Sequence, residues 1–184
     1  LLRALEKEGA CVLDCDAVYH GMLETDEELR SALRSEFGDV IFRADGSVDV
    51  HAIGLIVFQD REKLTALDAL VKEYVPREVA PRMAAADAEL IGLDAIKLME
   101  CGLGAICDAT VAVTAPEEVR VRRIMTRDGI SEDYARARVR AQRSEEAFRA
   151  DCDAVFENNY PTPAQAAFAA EEFLDTIIKK SKEE

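Results

Sequence analysis

The sequence predicts an α/β fold in which a parallel sheet is flanked by helices, and three observations carry that reading. Short apolar runs at residues 10–13, 89–95, 109–114 and 155–157 have strand length and are bounded by polar or turn residues. The first three are nearly uninterrupted apolar stretches, the pattern of strands buried on both faces. Longer stretches of helical periodicity separate them, the order that gives a parallel sheet with crossover helices. At 184 residues and 49% hydrophobic composition, the chain can bury one good core and a small appended subdomain.

The elements follow in order. Leu1, Leu2 and Leu5 fall at helical spacing and Gly9 is a natural stop, so the chain opens in a helix already under way. Residues 10–13 are the first strand, ending in Asp14-Cys15-Asp16, and a helix through Val18 and Met22 follows. Thr25-Asp26-Glu27-Glu28 reads as a capping box for a helix carrying Leu29, Leu33 and Phe37, with Gly38 as its stop. Asp45-Gly46 marks a turn. Residues 50–86 are almost wholly helical in pattern, with Pro76 and Pro81 expected as bends or new helix starts. Pro116 opens the next helix, Ser131 and Ser144 are expected N-caps, and Thr162-Pro163 begins a last helix with a charged tail. The expected organisation is a core α/β segment at 1–49, a helical insertion at 50–86, core strands at 87–119, an arginine-rich helical segment at 120–150, and a closing strand and helix at 151–184.

Charge and cysteine content exclude several classes of function. A net charge of −14 argues against nucleic acid and anionic membrane as partners. No apolar run approaches the roughly 20 residues needed to span a bilayer. Cys11, Cys15, Cys101, Cys107 and Cys152 are scattered, odd in number and form no Cys-x-x-Cys pair, so they read as reduced cytosolic thiols. His20 and His51 stand alone, as surface or packing residues do, and no set of side chains reads as a protein-built metal site.

Against that acidic background, eight arginines crowd residues 120–143: Arg120, Arg122, Arg123, Arg127, Arg136, Arg138, Arg140 and Arg143. A guanidinium presents a planar fork of donors that suits phosphate oxygens, and several forks on a helix–turn–helix suit a gripped and released polyphosphate. The plainer account is two solvated basic helices. Asp14 and Asp16 leave the carboxyl end of the first strand, where open α/β sheets place ligands. One can take a proton from an attacking hydroxyl while the other holds a magnesium water or a substrate group. The plainer account of either is a helix N-cap. Asp94 near the end of the second strand, with Glu100 beyond it, adds to an acidic sheet edge of the kind phosphoryl transfer uses.

At this point the residues resemble a family. Val12-Leu13-Asp14-Cys15-Asp16-Ala17-Val18-Tyr19-His20 is similar to the D-A-D-x-I-A-H segment of dephospho-CoA kinases. Similar too are Val57-Phe58-Gln59-Asp60 with Leu67-Asp68-Ala69-Leu70, and the stretch from Asp94 through Glu100-Cys101-Gly102-Leu103 to Cys107-Asp108. Arg123 to Ser131, with Ala137-Arg138 and Ala141-Gln142, resembles the family's lid, and Asp153 to Asn159 its A-D-x-V-I-x-N ending. The likeness covers nearly the whole chain in the right order. It implies a P-loop kinase of the adenylate-kinase type that moves the γ-phosphate of ATP, with Mg²⁺, onto the ribose 3′-hydroxyl of dephospho-CoA. In that reading Asp16 is the catalytic base and Asp14 supports the acceptor or the metal's water shell. Arg138 and Arg127 are lid groups that hold ATP and stabilise the transferring phosphate. Asn158 lies beside the adenine, and the helices of 50–86 bind the acceptor.

The chain also departs from the family. No G-x-x-x-x-G-K-S/T phosphate loop occurs in the 184 residues, and the sequence begins without Met in mid-helix. A missing preceding segment is therefore expected, and the 184 residues alone are expected to be inactive. Lys72-Glu73 stands in place of the family's His-Pro, and Ile96-Lys97 in place of its Pro-Leu. Two other readings stay open: a related P-loop kinase for another small hydroxyl acceptor, and a kinase-like interaction module without catalysis.

Overall fold

The computed structural model describes residues 1–181. Residues 9–106 form one compact unit, and residues 1–8 join those from 107 onward in the other. The chain opens with α1 (Leu2–Lys7), which stops at Gly9, where φ is 83° and a side chain would be strained.

In the unit of residues 9–106, β1 (Cys11–Asp14) turns directly into α2 (Cys15–Thr25). The Asp14 carboxylate makes that corner by accepting a hydrogen bond from the Ala17 amide at 2.9 Å. The next helix, α3 (Glu27–Phe37), corrects the expected capping box. Thr25 is the last residue of α2 and its hydroxyl donates to the Gly21 carbonyl, while Asp26 caps α3 by accepting from the Leu29 amide at 3.0 Å. Asp26 ends one helix and caps the next, so its carboxylate, not the Thr25 hydroxyl, is the acceptor in place at the N-terminus.

The helical stretch beyond residue 50 resolves into α4 (Val50–Val57) and α5 (Arg61–Ala85), capped by Asp49 and Asp60. Of the two alternatives expected for Pro76 and Pro81, bends or new helix starts, the second does not hold: both lie inside α5. Each removes one backbone donor. The helix is held instead by its apolar side: Val75 and Val79 are buried, and Leu64, Leu67, Leu70 and Val71 pack on the same core. That core also takes Val18 and Met22 of α2, Leu29 and Leu33 of α3, and Ile53 and Val57 of α4. α2, α3, α4 and α5 thus share one apolar centre. β2 (Ile91–Asp94) pairs parallel with β1, in a register that sets Cys11 opposite Ile91 and Asp14 opposite Asp94.

In the other unit, β3 (Val111–Thr114) is followed by α6 (Glu117–Asp128), α7 (Glu132–Arg140) and α8 (Glu145–Asp151). β4 (Ala154–Glu157) then pairs parallel with β3, and α9 (Pro163–Ser181) packs with α1 around Ala4, Phe156, Ala170 and Leu174. Ser131 and Ser144 cap α7 and α8 as expected, accepting from the Tyr134 and Ala147 amides. Gly129, at φ 66°, makes the left-handed turn between α6 and α7, and Val121, Ala135 and Val139 form the small core of that hairpin. The end of the charged tail, residues 182–184, lies outside the described residues.

A side-chain clamp joins the starts of β3 and β4. Asp153 Oδ2 accepts from the Thr110 amide at 2.8 Å and from its hydroxyl at 2.6 Å, while the Asp153 amide donates to Thr110 Oγ1 at 3.1 Å. Thr110 is buried, so Asp153→Ala strands two of its polar groups and is expected to cost about 1–3 kcal/mol, read from urea unfolding. The hydrogen bonds from Thr110 lower the Asp153 pKa below the usual carboxylate value. Its stabilisation is therefore complete above the unfolded-state pKa of about 3.9 and is lost as pH falls through the lower folded value. Asp153→Ala is expected to flatten the acid limb of the stability profile.

Candidate active site

The parallel register of β1 and β2 gathers acidic groups at one place. Asp14 and Asp94 are the last residues of adjacent strands and are directly opposite each other, about 4.8 Å apart along the pairing direction. Asp16 follows in the first turn of α2. Asp94 meets solvent, yet the protein around it desolvates the carboxyl and the charges of Asp14 and Asp16 add to that, so its pKa is raised. Cys15, buried between them in sequence, is pushed up to about 11 by burial first and then by Asp16, Asp94 and Asp14. At neutral pH it is a thiol that packs, not a nucleophile. Asp14 already spends one oxygen on its helix cap. The cap reading weighed for these aspartates therefore holds for Asp14, while Asp16 lies further on, within the first turn of α2.

Beyond β2 one of the two departures from the family's sequence, Ile96-Lys97, has a structural role. Lys97 Nζ pairs with Asp68 Oδ2 at 2.6 Å, which ties the loop after β2 to α5.

The arginines of the α6–α7 hairpin divide by partner. Arg136 is structural: it bonds Glu118 through two nitrogens at 2.9 Å and Glu132 at 2.9 Å. Arg120 is bonded to Gln142, and Arg143 to Asp151. Arg127 and Arg138, expected to act together, meet on Asp128. Arg127 donates to its two oxygens at 2.6 and 3.0 Å, and Arg138 Nη1 to Oδ2 at 2.5 Å. The hydrogen bond from Arg127 and then that from Arg138 hold the Asp128 pKa at about 2.

Arg123 reaches the segment after β4, where its Nη1 donates to the Asn158 carbonyl at 3.1 Å. The Asn158 amide in turn donates to Thr114 at 2.7 Å, which fixes the residue at the ends of β3 and β4. Its side-chain Oδ1 is buried and accepts no hydrogen bond among the described residues. An open pocket of about 530 Å³ runs along α6, lined by Arg122, Arg123, Ile124, Thr126 and Arg127. The acidic cluster thus belongs to the unit of residues 9–106, and the arginines with Asn158 to the other.

A family model described as dephospho-CoA kinase matches residues 1–163. The chain belongs to the dephospho-CoA kinase family. The Thermobifida fusca protein named dephospho-CoA kinase is 31% identical over 183 residues, 99% of this chain and 87% of that one. A crystal structure from Thermus thermophilus superposes with a TM-score of 0.74 at 32% identity, covering 97% of this chain and 88% of that one. The dephospho-CoA kinase from Campylobacter jejuni, at 19% identity, shares the fold with a TM-score of 0.62, covering 97% and 90%. Dephospho-CoA kinases use ATP as the phosphate donor, and this chain has their P-loop NTPase type of architecture. Among the described residues no helix is long and apolar enough to cross a membrane.

Three features of this dephospho-CoA kinase family member were not read from its sequence: the Asp128 bridge, the Arg123–Asn158 bond and the Thr110–Asp153 clamp. The first left a signal. Asp128 is acidic at the C-terminal end of a helix, where the dipole favours a cation, and an acidic residue there needs compensating charge. The other two join residues 35 and 43 positions apart, which no local pattern reveals.

Proposed function

We propose that this protein is a cytoplasmic dephospho-CoA kinase that transfers the γ-phosphate of ATP to the 3′-hydroxyl of dephospho-CoA, the last step of coenzyme A synthesis. The observation that carries the mechanism is the meeting of Asp14, Asp16 and Asp94 at the carboxyl ends of two parallel strands. Asp16 accepts the proton of the attacking hydroxyl at a carboxylate oxygen. Asp14, with one oxygen held by the Ala17 amide, orients its other oxygen toward the acceptor or a metal-bound water.

The residues present fit both cofactors. Burial first, and then the charges of Asp14 and Asp16, raise the Asp94 pKa, and three carboxylates so gathered favour a nearby cation. Mg²⁺ takes one or two carboxylates and completes its shell with water and phosphate, and it neutralises charge on the transferred group when bound. Among the described residues no three His, Cys, Asp or Glu side chains are grouped to hold a metal by themselves. The unpartnered Asn158 Oδ1 fits an adenine amino group, which would supply the donor it lacks. Arg138 and Arg127 serve the phosphates as lid residues, and α4 and α5 form the acceptor side.

The acceptor panel tests this reading. Transfer is measured in a polypeptide that carries a G-x-x-x-x-G-K-S/T segment joined ahead of Leu1, following ADP release with dephospho-CoA, adenosine and nucleoside monophosphates. The expected result is a kcat/KM for dephospho-CoA well above that for every other acceptor. A preference for another acceptor would support the related-kinase reading, in which Lys72 and Lys97 mark a changed acceptor site.

A further inference from the structure

Among the carboxylates of the α6–α7 hairpin, Asp128 alone joins the two arginines that the sequence singled out for phosphate, and it does so across the turn. Arg127 is its chain neighbour, whereas Arg138 comes from the next helix, ten residues away. The three side chains differ in exposure: 69% for Arg127, 35% for Arg138 and 22% for Asp128. The carboxylate is therefore the most enclosed member, with the guanidinium groups around it.

The cost of this arrangement shows that it is specified. An aspartate at the end of a helix opposes the helix dipole, and two guanidinium groups brought together repel each other. Each arginine also gives up rotamer freedom. A shared anion offsets the repulsion and fixes both side chains before any ligand arrives. The donors are divided unequally. Arg127 commits its Nε–Nη2 edge to Asp128, while Arg138 uses only Nη1 and keeps Nε and Nη2 clear of that carboxylate. Because Asp128 is held ionised far below neutral pH, the bridge persists throughout the physiological range.

We infer that Asp128 is a positioning residue that sets the orientation of the Arg138 guanidinium so that its remaining donors are presented to the transferring phosphate. This rests on the kinase reading proposed above. Asp128 itself touches no substrate. Its effect reaches the reaction through Arg138, and Arg127 is the second anchor that keeps the carboxylate in place.

Two measurements test this. In the polypeptide carrying the phosphate loop, Asp128→Asn keeps the shape but removes the charge, and is expected to lower kcat roughly ten- to a hundred-fold through misplacement of Arg138. The KM for dephospho-CoA should stay within about twofold, and Asp128→Glu should recover most of the rate because the bridge can re-form. In an Arg138→Ala background the same Asp128→Asn change should add little, since residues acting as one unit are not additive. Independently of activity, the Arg138 Nη–H resonances of the 184-residue chain should include a protected, slowly exchanging Nη1 proton that is lost in Asp128→Asn. A normal kcat in Asp128→Asn of an active parent, or an unchanged Arg138 resonance, would overturn the inference. A parent that transfers no phosphate to dephospho-CoA would instead count against the kinase reading, and the resonance would still decide the role of Asp128.

Discussion

Arg138→Ala is expected to lower kcat by about 10³–10⁵, the range over which an arginine acting on the transferred phosphate contributes in P-loop enzymes. Charge develops on the equatorial oxygens of the phosphoryl group as it leaves ADP, and a fixed guanidinium lowers that barrier without reorganisation. The KM for the acceptor should change far less, because the contact forms in the transition state. Arg138→Lys should rescue weakly, since an ammonium has no planar fork to share between Asp128 and a phosphate. Folding should survive, because the side chain is partly exposed and the hairpin core is Val121, Ala135 and Val139. Steady-state kinetics separate this from two solvated surface helices, for which both variants would behave normally.

Asp16→Asn is expected to lower kcat by roughly 10²–10⁴, the usual worth of a positioned general base. The amide has the size of the carboxylate but accepts no proton at neutral pH. The loss should appear with little change in stability, because Asp16 is exposed in the first turn of α2. Asp14→Asn is the control. Asparagine also caps helices, so the bond from the Ala17 amide can be kept and the loss should be smaller. If Asp14→Asn abolishes transfer while Asp16→Asn stays within a few-fold of the parent, the base is Asp14. Rapid-quench measurement of the first turnover makes the comparison free of product release.

The elements of the fold were legible where local chemistry decides them. Strand-length apolar runs, the serine caps at Ser131 and Ser144, and the stops at Gly9 and Gly38 are written in a few adjacent residues, and each stands as read. The capping box failed because two acceptors, Thr25 and Asp26, compete at adjacent positions and only the backbone path shows which one ends α2. Pro76 and Pro81 failed as helix starts because burial of Val75 and Val79 keeps α5 in one piece, a tertiary effect that outweighs local propensity. In the candidate site, the acidic strand ends were readable from order along the chain. The pairing of Asp14 with Asp94 needed the sheet register, and the sharing of Asp128 by Arg127 and Arg138 needed the packing of α6 on α7. Charge patterning marked where the arginines are but not which of them are spent on structure, as Arg136 is.

The most direct measurement follows the γ-phosphate itself. The polypeptide carrying a phosphate loop ahead of Leu1 is given γ-labelled ATP, Mg²⁺ and dephospho-CoA, and the product is located by phosphorus NMR. A label on the ribose 3′-oxygen, absent without acceptor and greatly reduced by Asp16→Asn, is the predicted result. An active preparation that places the label elsewhere, or that hydrolyses ATP and leaves dephospho-CoA unmodified, would contradict it.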